Sequence, residues 1–232
     1  MSRTSLPAAL AAAAISLAAL PAVAAAAPAA TLDRPCYAHL PAQGSQPIVA
    51  TLSGGTPGAA FVFAATGPGK PTGSAGSVSG TFDAAGNATA QIENVAPPSG
   101  TTKPTQGQRV FLSVTDSGAG NAVTPVGTTL VTNIAVTVSS TPRNPRLRRR
   151  VRVSGGSVFA GQSLYGFVVK PGSSHVLRRV RLGKANACGY VSARAVVAPA
   201  SYRSGNYRLY INSGRSLRKS RAIGYAFRIS RF

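Results

Sequence analysis

Along most of the chain, apolar residues come in short runs that alternate with polar ones, and Gly and Pro separate the runs. Ile48-Val-Ala-Thr-Leu-Ser53, Gln108-Arg-Val-Phe-Leu-Ser-Val114, Val151-Arg-Val153, Arg178-Arg-Val-Arg-Leu182 and Ile223–Ile229 all follow a period close to two. Side chains alternate faces along a strand, so this period marks strands with one buried face. No stretch keeps the 3.6 period of an amphipathic helix. An all-β chain with Gly/Pro turns is therefore expected. In Pro145-Arg-Leu-Arg-Arg-Arg-Val-Arg-Val153, Leu147, Val151 and Val153 share one face with Arg149. Arg146, Arg148, Arg150 and Arg152 take the other face.

The strand pattern repeats. Ile48–Gly55, then Gly58, then Phe61-Val-Phe63, is matched by Val151–Gly156, then Gly161, then Leu164-Tyr-Gly-Phe167. Gly80–Ala90, with its turn at Asp83–Gly86, is matched by Leu182–Ala193, with its turn at Asn186–Gly189. Gly107–Val114 is matched by Gly205–Ile211, and each copy closes on an alternating strand, Leu130–Val138 and Ile223–Ile229. Three matches in one order at similar spacing indicate two copies of one module. Each copy holds six or seven short strands, which suits a β-sandwich. Gly205-Asn206-Tyr207 has the form of a tyrosine corner, with Arg109 at the aligned position of the first copy. On these glycines and this tyrosine the chain resembles the tandem immunoglobulin-like modules of exported bacterial proteins. The resemblance implies two antiparallel sandwiches and an envelope or extracellular setting, and it implies no activity. The expected division is 31–141 for the first sandwich and 142–232 for the second. Residues 134–139 could belong to either copy, and Pro142 and Pro145 make 140–145 a short, stiff connection.

Ahead of the modules, Met1–Ser5 is a short basic lead to an Ala-rich run from Leu6 to about Ala27. Small-residue cleavage sites follow at Ala22-Val-Ala24 and Ala25-Ala-Ala27. This pattern predicts a secretory signal peptide over 1–30, hence a secreted or cell-envelope protein with no membrane span in the mature chain.

Charge distinguishes the copies. Between Thr31 and Thr141 four bases (Arg34, Lys70, Lys103, Arg109) balance four acids (Asp33, Asp83, Glu93, Asp116). From Pro142 to Phe232 there are twenty Lys and Arg and no acid. If the second, fourth and fifth strands of the second copy share one sheet, Arg148, Arg150, Arg152, Arg179, Arg181 and Arg194 form one basic outer face. Like charges on neighbouring strands destabilise one another, so an anionic partner would relieve them, and guanidinium suits phosphate and carboxylate. The expected partner is an anionic cell-envelope polymer or an acidic protein, with extracellular nucleic acid a third choice. Against this stands a plain solvated face, drawn from an Arg-rich composition. A structural or assembly module of an extracellular complex is the competing function.

Other chemistry is sparse. Four acids spread over the first copy are not a catalytic pair, and neither His39 nor His175 lies in a nucleophile motif, so no enzyme and no cofactor are expected. Asp83 fits a turn better than a calcium loop, since Asp83 and Asn87 supply too few oxygens. Cys36, His39, His175 and Cys188 make a poor zinc set, because residues three apart on a strand face opposite ways. Each copy has one cysteine, so a disulfide within the chain must join Cys36 to Cys188 across the two modules.

Overall fold

The computed structural model describes residues 27–40, 44–67, 74–93, 95, 103–139, 148–198 and 201–230. The first half forms β1 (Ala29–Leu32), β2 (Cys36–Leu40), β3 (Gly44–Ser45), β4 (Ile48–Ser53), β5 (Ala60–Thr66), β6 (Ser74–Thr81), β7 (Ala88–Ile92), β8 (Gln108–Asp116) and β9 (Ala122–Asn133). The second half forms β10 (Ala135–Val138), β11 (Arg149–Ser154), β12 (Ser163–Val169), β13 (Val176–Lys184), β14 (Val191–Ala195), β15 (Gly205–Ser213) and β16 (Ile223–Ile229). The chain is all-β, and three 3-10 turns are its only helical segments among the described residues.

Both halves have the same topology. A three-stranded sheet, β1-β4-β7, faces a sheet containing β9-β8-β5-β6; its counterparts are β10-β11-β14 and β16-β15-β12-β13. The first half adds β2, parallel to β9, and β3 beside it. Alternation along each strand supplies two separate cores. Ile48, Leu52, Phe61, Phe63, Val114 and Val131 lie in the first. Val151, Val153, Leu164, Val180, Leu209 and Ile211 lie in the second.

The repeated glycines explain themselves. Gly86 and Gly189 end equivalent turns with φ of 77° and 65°, a left-handed conformation that favours glycine. A Cβ there would lie 2.3 Å from the Gly55 carbonyl oxygen and 2.4 Å from that of Gly156. Each turn therefore packs backbone to backbone on the Gly-Gly pair that ends β4 or β11. Asp83 Oδ1 accepts from the Ala85 and Asn87 amides in the first turn. Asn186 Oδ1 accepts from Cys188 and Tyr190 in the second. Asp83 is thus a turn residue with its Oδ1 turned back on its own loop.

Four expectations need correcting. Strand β13 does not share a sheet with β11 and β14; it pairs with β12. The short link between β12 and β13, turned by Ser173 N–H donating to the Lys170 carbonyl, makes a hairpin and holds the two strands in one sheet. The change of sheet comes at Ile134, not at 141/142, because β10 pairs with β11. The stretch 140–145, expected to be stiff, thus falls in sequence between two strands of the second half; together with Arg146 and Leu147 it lies outside the described residues. Strand β1 begins at Ala29 and pairs with β4, so the first sandwich starts two residues before the expected boundary at 31. Lastly, Leu112 pairs with Ala65 and Leu209 with Val168, which places Val110, not Arg109, at the position of Tyr207.

Tyr207 does make the corner bond: its hydroxyl donates to the Arg203 carbonyl at 2.9 Å. Its ring stacks between Tyr202 and Phe227, at 5.2 and 5.8 Å.

Cys36 and Cys188 form a disulfide, 152 residues apart in sequence, with their Cα atoms 5.2 Å apart. Around it the halves interlock. Gln46 Nε2 donates to Ser157 Oγ at 2.9 Å, and Ser154 Oγ donates to Asn133 Oδ1 at 3.1 Å within a buried contact. A Cβ on Gly156 would sit 2.2 Å from Ala38 Cβ, and one on Gly107 would sit 2.7 Å from Cys188 Sγ. The added strand β2 carries Cys36, Ala38 and, through its partner β3, the approach to Gln46. Its function in the fold is to bring this edge against the second half.

Candidate functional site

Four of the six expected arginines come together. Alternation along β11 buries Val151 and Val153 and exposes Arg150 and Arg152, with Arg148 exposed just before the strand. Register places Arg150 directly opposite Arg194 of β14, and Arg152 opposite Ser192. On the other flank, Ser139 closes the end of β10: its amide donates to the Arg150 carbonyl at 2.9 Å, and its hydroxyl accepts from the Arg150 amide at 3.0 Å. Thr137, Val138, Ser139, Arg148, Arg150, Arg152 and Arg194 line a shallow cleft of about 370 Å³. Its walls carry four guanidinium groups and hydroxyl groups, with no carboxylate. Among the described residues the one ion pair is Arg34–Asp33, in the first half.

Arg179 and Arg181 lie elsewhere. Both are exposed on β13, on the outer side of the second sheet, opposite Phe167 and Tyr165 of β12. One face of six arginines therefore does not form; the second half is basic on both outer faces.

Arg149 differs from its neighbours. It faces inward and is only 8% exposed. Desolvation lowers its pKa, and nearby Tyr225 partly offsets this. The sequence placed it on the Val151/Val153 face, and there it lies, its aliphatic stem continuing the core.

Sequence reasoning missed a second basic cluster. The segment 214–222, between β15 and β16, folds back over the outer side of the second sheet. Arg179 Nη1 donates to the Arg215 carbonyl at 3.1 Å, Lys219 Nζ donates to the Ser173 carbonyl at 2.7 Å, and the same ammonium lies 5.9 Å from the Tyr210 ring centre. Phe167 and Val169, on the side of β12 away from the core, are each 1% exposed. Asn212, Ser213, Gly214, Arg215, Ser216, Arg218 and Arg221 line a cavity of about 240 Å³ there. A loop has no periodicity; only the density of bases in Arg215–Arg221 could have drawn notice.

The other candidates are occupied. Both cysteine sulfurs are in the disulfide, which leaves no thiolate for a metal. His39 Nδ1 is 2.9 Å from Ser45 Oγ, and that hydroxyl donates to the Val95 carbonyl; His175 is exposed after the β12–β13 turn. Burial pulls the Asp33 carboxyl up, but the Tyr37 hydroxyl, at 2.6 Å, and Arg34 outweigh it and hold the carboxyl below its ordinary range. Burial and the same carboxylate push the Tyr37 hydroxyl well above the usual tyrosine range. Asp116 is buried and caps the turn that follows β8.

No protein-family model matches the chain, and no curated protein matches it. Among solved structures it is similar to a tetra-tandem repeat from the extending region of a large adhesion protein, at 10% identity and a TM-score of 0.30. That match covers 88% of this chain and 49% of the other, so the chain spans about half the length of that structure. A likeness this distant carries no inference about function, which rests on the residues of this chain. Among the described residues, no helix is long and apolar enough to cross a membrane.

Proposed function

We propose that this is an exported, non-enzymatic protein of two immunoglobulin-like sandwiches, which a disulfide clamps together and whose second half binds an anionic polymer of the cell envelope. The Tyr207–Arg203 bond and the shared strand order support the immunoglobulin-like assignment. The Ala-rich leader and the disulfide support export. Three carboxylates held in structural bonds, at Asp33, Asp83 and Asp116, support a role without catalysis.

One observation carries the binding reading. Arg150 and Arg194 sit directly opposite each other in the ladder, beside Arg148 and Arg152, in a half with no acid. Like charges in that position destabilise the sheet, and phosphate or carboxylate groups seated in the cleft would neutralise them. The competing reading, a structural module with no such ligand, is favoured by the interlocked boundary, which makes the chain a stiff spacer.

The test is retention of long-chain polyphosphate by the oxidised chain from Pro28 to Phe232 across a salt series. With the duplex-DNA coefficient as guide, four neutralised groups give a log–log slope of about −4, or about a hundredfold weakening between 50 and 200 mM salt. R150Q/R152Q/R194Q should flatten the slope by about three units without unfolding the protein. Equal retention of variant and parent would leave the cleft as solvated surface and put the structural module first.

A further inference from the structure

The segment 214–222 borders a cavity that combines exposed bases with a buried polar side chain. Asn212 is 2% exposed, at the end of β15 beneath the cavity. Its Nδ2 donates to the Ser213 carbonyl at 2.8 Å and to the Ser216 carbonyl at 3.0 Å. Both partners are acceptors, which settles the orientation of the amide. Its Oδ1 is then a buried acceptor with no hydrogen-bond partner. A buried acceptor left without a donor is costly, so a group that supplies one is favoured there.

The walls ask for something else. Arg215, Arg218 and Arg221 all line the cavity and are exposed, and no acid exists in this half to pair with them. Three guanidinium groups suit a tetrahedral oxyanion. A fully ionised oxyanion such as sulfate carries acceptors only and cannot satisfy Asn212 Oδ1. A ligand with an oxyanion and a hydroxyl side by side satisfies both.

We infer that this cavity is a binding site for a phosphorylated or sulfated polyol or sugar, with the oxyanion on Arg215, Arg218 and Arg221 and a neighbouring hydroxyl donating to Asn212 Oδ1. The site lies on the opposite sheet from the β11 cleft and does not depend on that cleft binding anything. The corresponding link in the first half, between β8 and β9, spans only Ser117–Asn121 and carries no base, so the site belongs to the second half alone.

The experiment is an amide NMR titration of the oxidised chain from Pro28 to Phe232, with glycerol 3-phosphate and, separately, sulfate. Glycerol 3-phosphate should shift the Asn212 side-chain amide and the Gly214 and Ser216 backbone amides saturably. It should bind about tenfold more tightly than sulfate, the scale of one buried acceptor satisfied. R218Q/R221Q should weaken it by at least about tenfold, as loss of charge-assisted bonds predicts. R150Q/R152Q/R194Q should leave it unchanged, which separates this site from the β11 cleft. Equal affinity for the two probes would overturn the hydroxyl assignment. Shifts that survive R218Q/R221Q, or that fall on β11 instead, would overturn the site.

Discussion

Position for position, the two halves are one scaffold with different cargo on its first sheet. Ile48 pairs with Ile92 in the first half, both fully buried or nearly so; at the same register the second half pairs Arg149 with Ala195. The outward pair Val49–Gln91 becomes Arg150–Arg194, and Thr51–Thr89 becomes Arg152–Ser192. Inward positions next to these stay apolar: Ala50 and Leu52 correspond to Val151 and Val153. The alternation of β4 and β11 thus tolerates a complete change of charge on the outer face, because those side chains leave the core untouched. Only Arg149 breaks this separation, replacing a buried Ile with a long side chain while Ala195 yields space beside it. Apart from Arg149, the charge on this sheet sits on side chains outside the core, so its cost is repulsion across the ladder and not lost packing.

The largest effect should come from uncoupling the halves. Chain entropy sets about 5 kcal/mol as the ceiling for a bridge that closes a loop of this length. With the Cys36–Cys188 bridge intact, denaturant should unfold the chain in one transition. C36A/C188A should unfold at lower denaturant and in two steps, one for each core. A single unshifted transition in the variant would show that the Gln46–Ser157 and Ser154–Asn133 contacts couple the halves unaided.

Much of this was legible in the chain, and the failures have physical causes. The two faces of β11 followed from alternation alone, since burial on one side is what the alternation encodes. The bridge followed from one cysteine in each copy of a repeat. The sheet to which β13 belongs could not follow, because Arg178–Leu182 alternates identically whichever sheet it joins; only the short link from Val169 to Val176 distinguishes them. The one-residue error at Arg109 arose from aligning Gly107 with Gly205, whereas pairing and burial align Val110 with Tyr207. The Arg215–Arg221 cluster lay in a link, where no periodic signal exists.

The next effect tests Arg149. Restoring the pair of the first half with R149I/A195I replaces a desolvated guanidinium by apolar packing. Exchanges of buried charge for well-packed apolar residues stabilise by about 1–4 kcal/mol elsewhere, and with an exposed rim here the low end is expected. Equilibrium denaturation would read it. Loss of stability would mean that the Arg149 stem fills space that two isoleucines cannot share.

A smaller effect distinguishes the two cores. Tyr207→Phe keeps the stack with Tyr202 and Phe227 and removes the bond to the Arg203 carbonyl. The expected loss is about 1 kcal/mol, confined to the second half, since Val110 at the equivalent position has no hydroxyl. Hydrogen exchange of β15 amides against β8 amides would show it. Equal changes in both would mean that the corner supports the whole chain.

The last prediction separates the halves by pH. Burial raises the Asp116 carboxyl, but hydrogen bonds from the Thr56 amide and hydroxyl and from the Gly118 amide, at 2.8, 2.9 and 2.9 Å, outweigh it and hold its pKa below the ordinary value of 3.8. A carboxyl whose folded pKa is depressed adds stability that is fully present above its unfolded pKa. That stability is lost as pH falls through the folded value. Asp116 ties β8 to the turn after β4, and Ser213, exposed, stands at its place in the second half. The second half has no carboxyl side chain at all. Between neutral pH and about pH 3, exchange protection in β5 and β8 should therefore fall while protection in β12 and β15 holds, apart from what the bridge transmits. In Asp116→Asn the fall in the first half should shrink, because the titrating group is gone, although the variant begins from lower stability. Parallel loss in both halves, unchanged by the substitution, would place the acid response in the interface and not in Asp116.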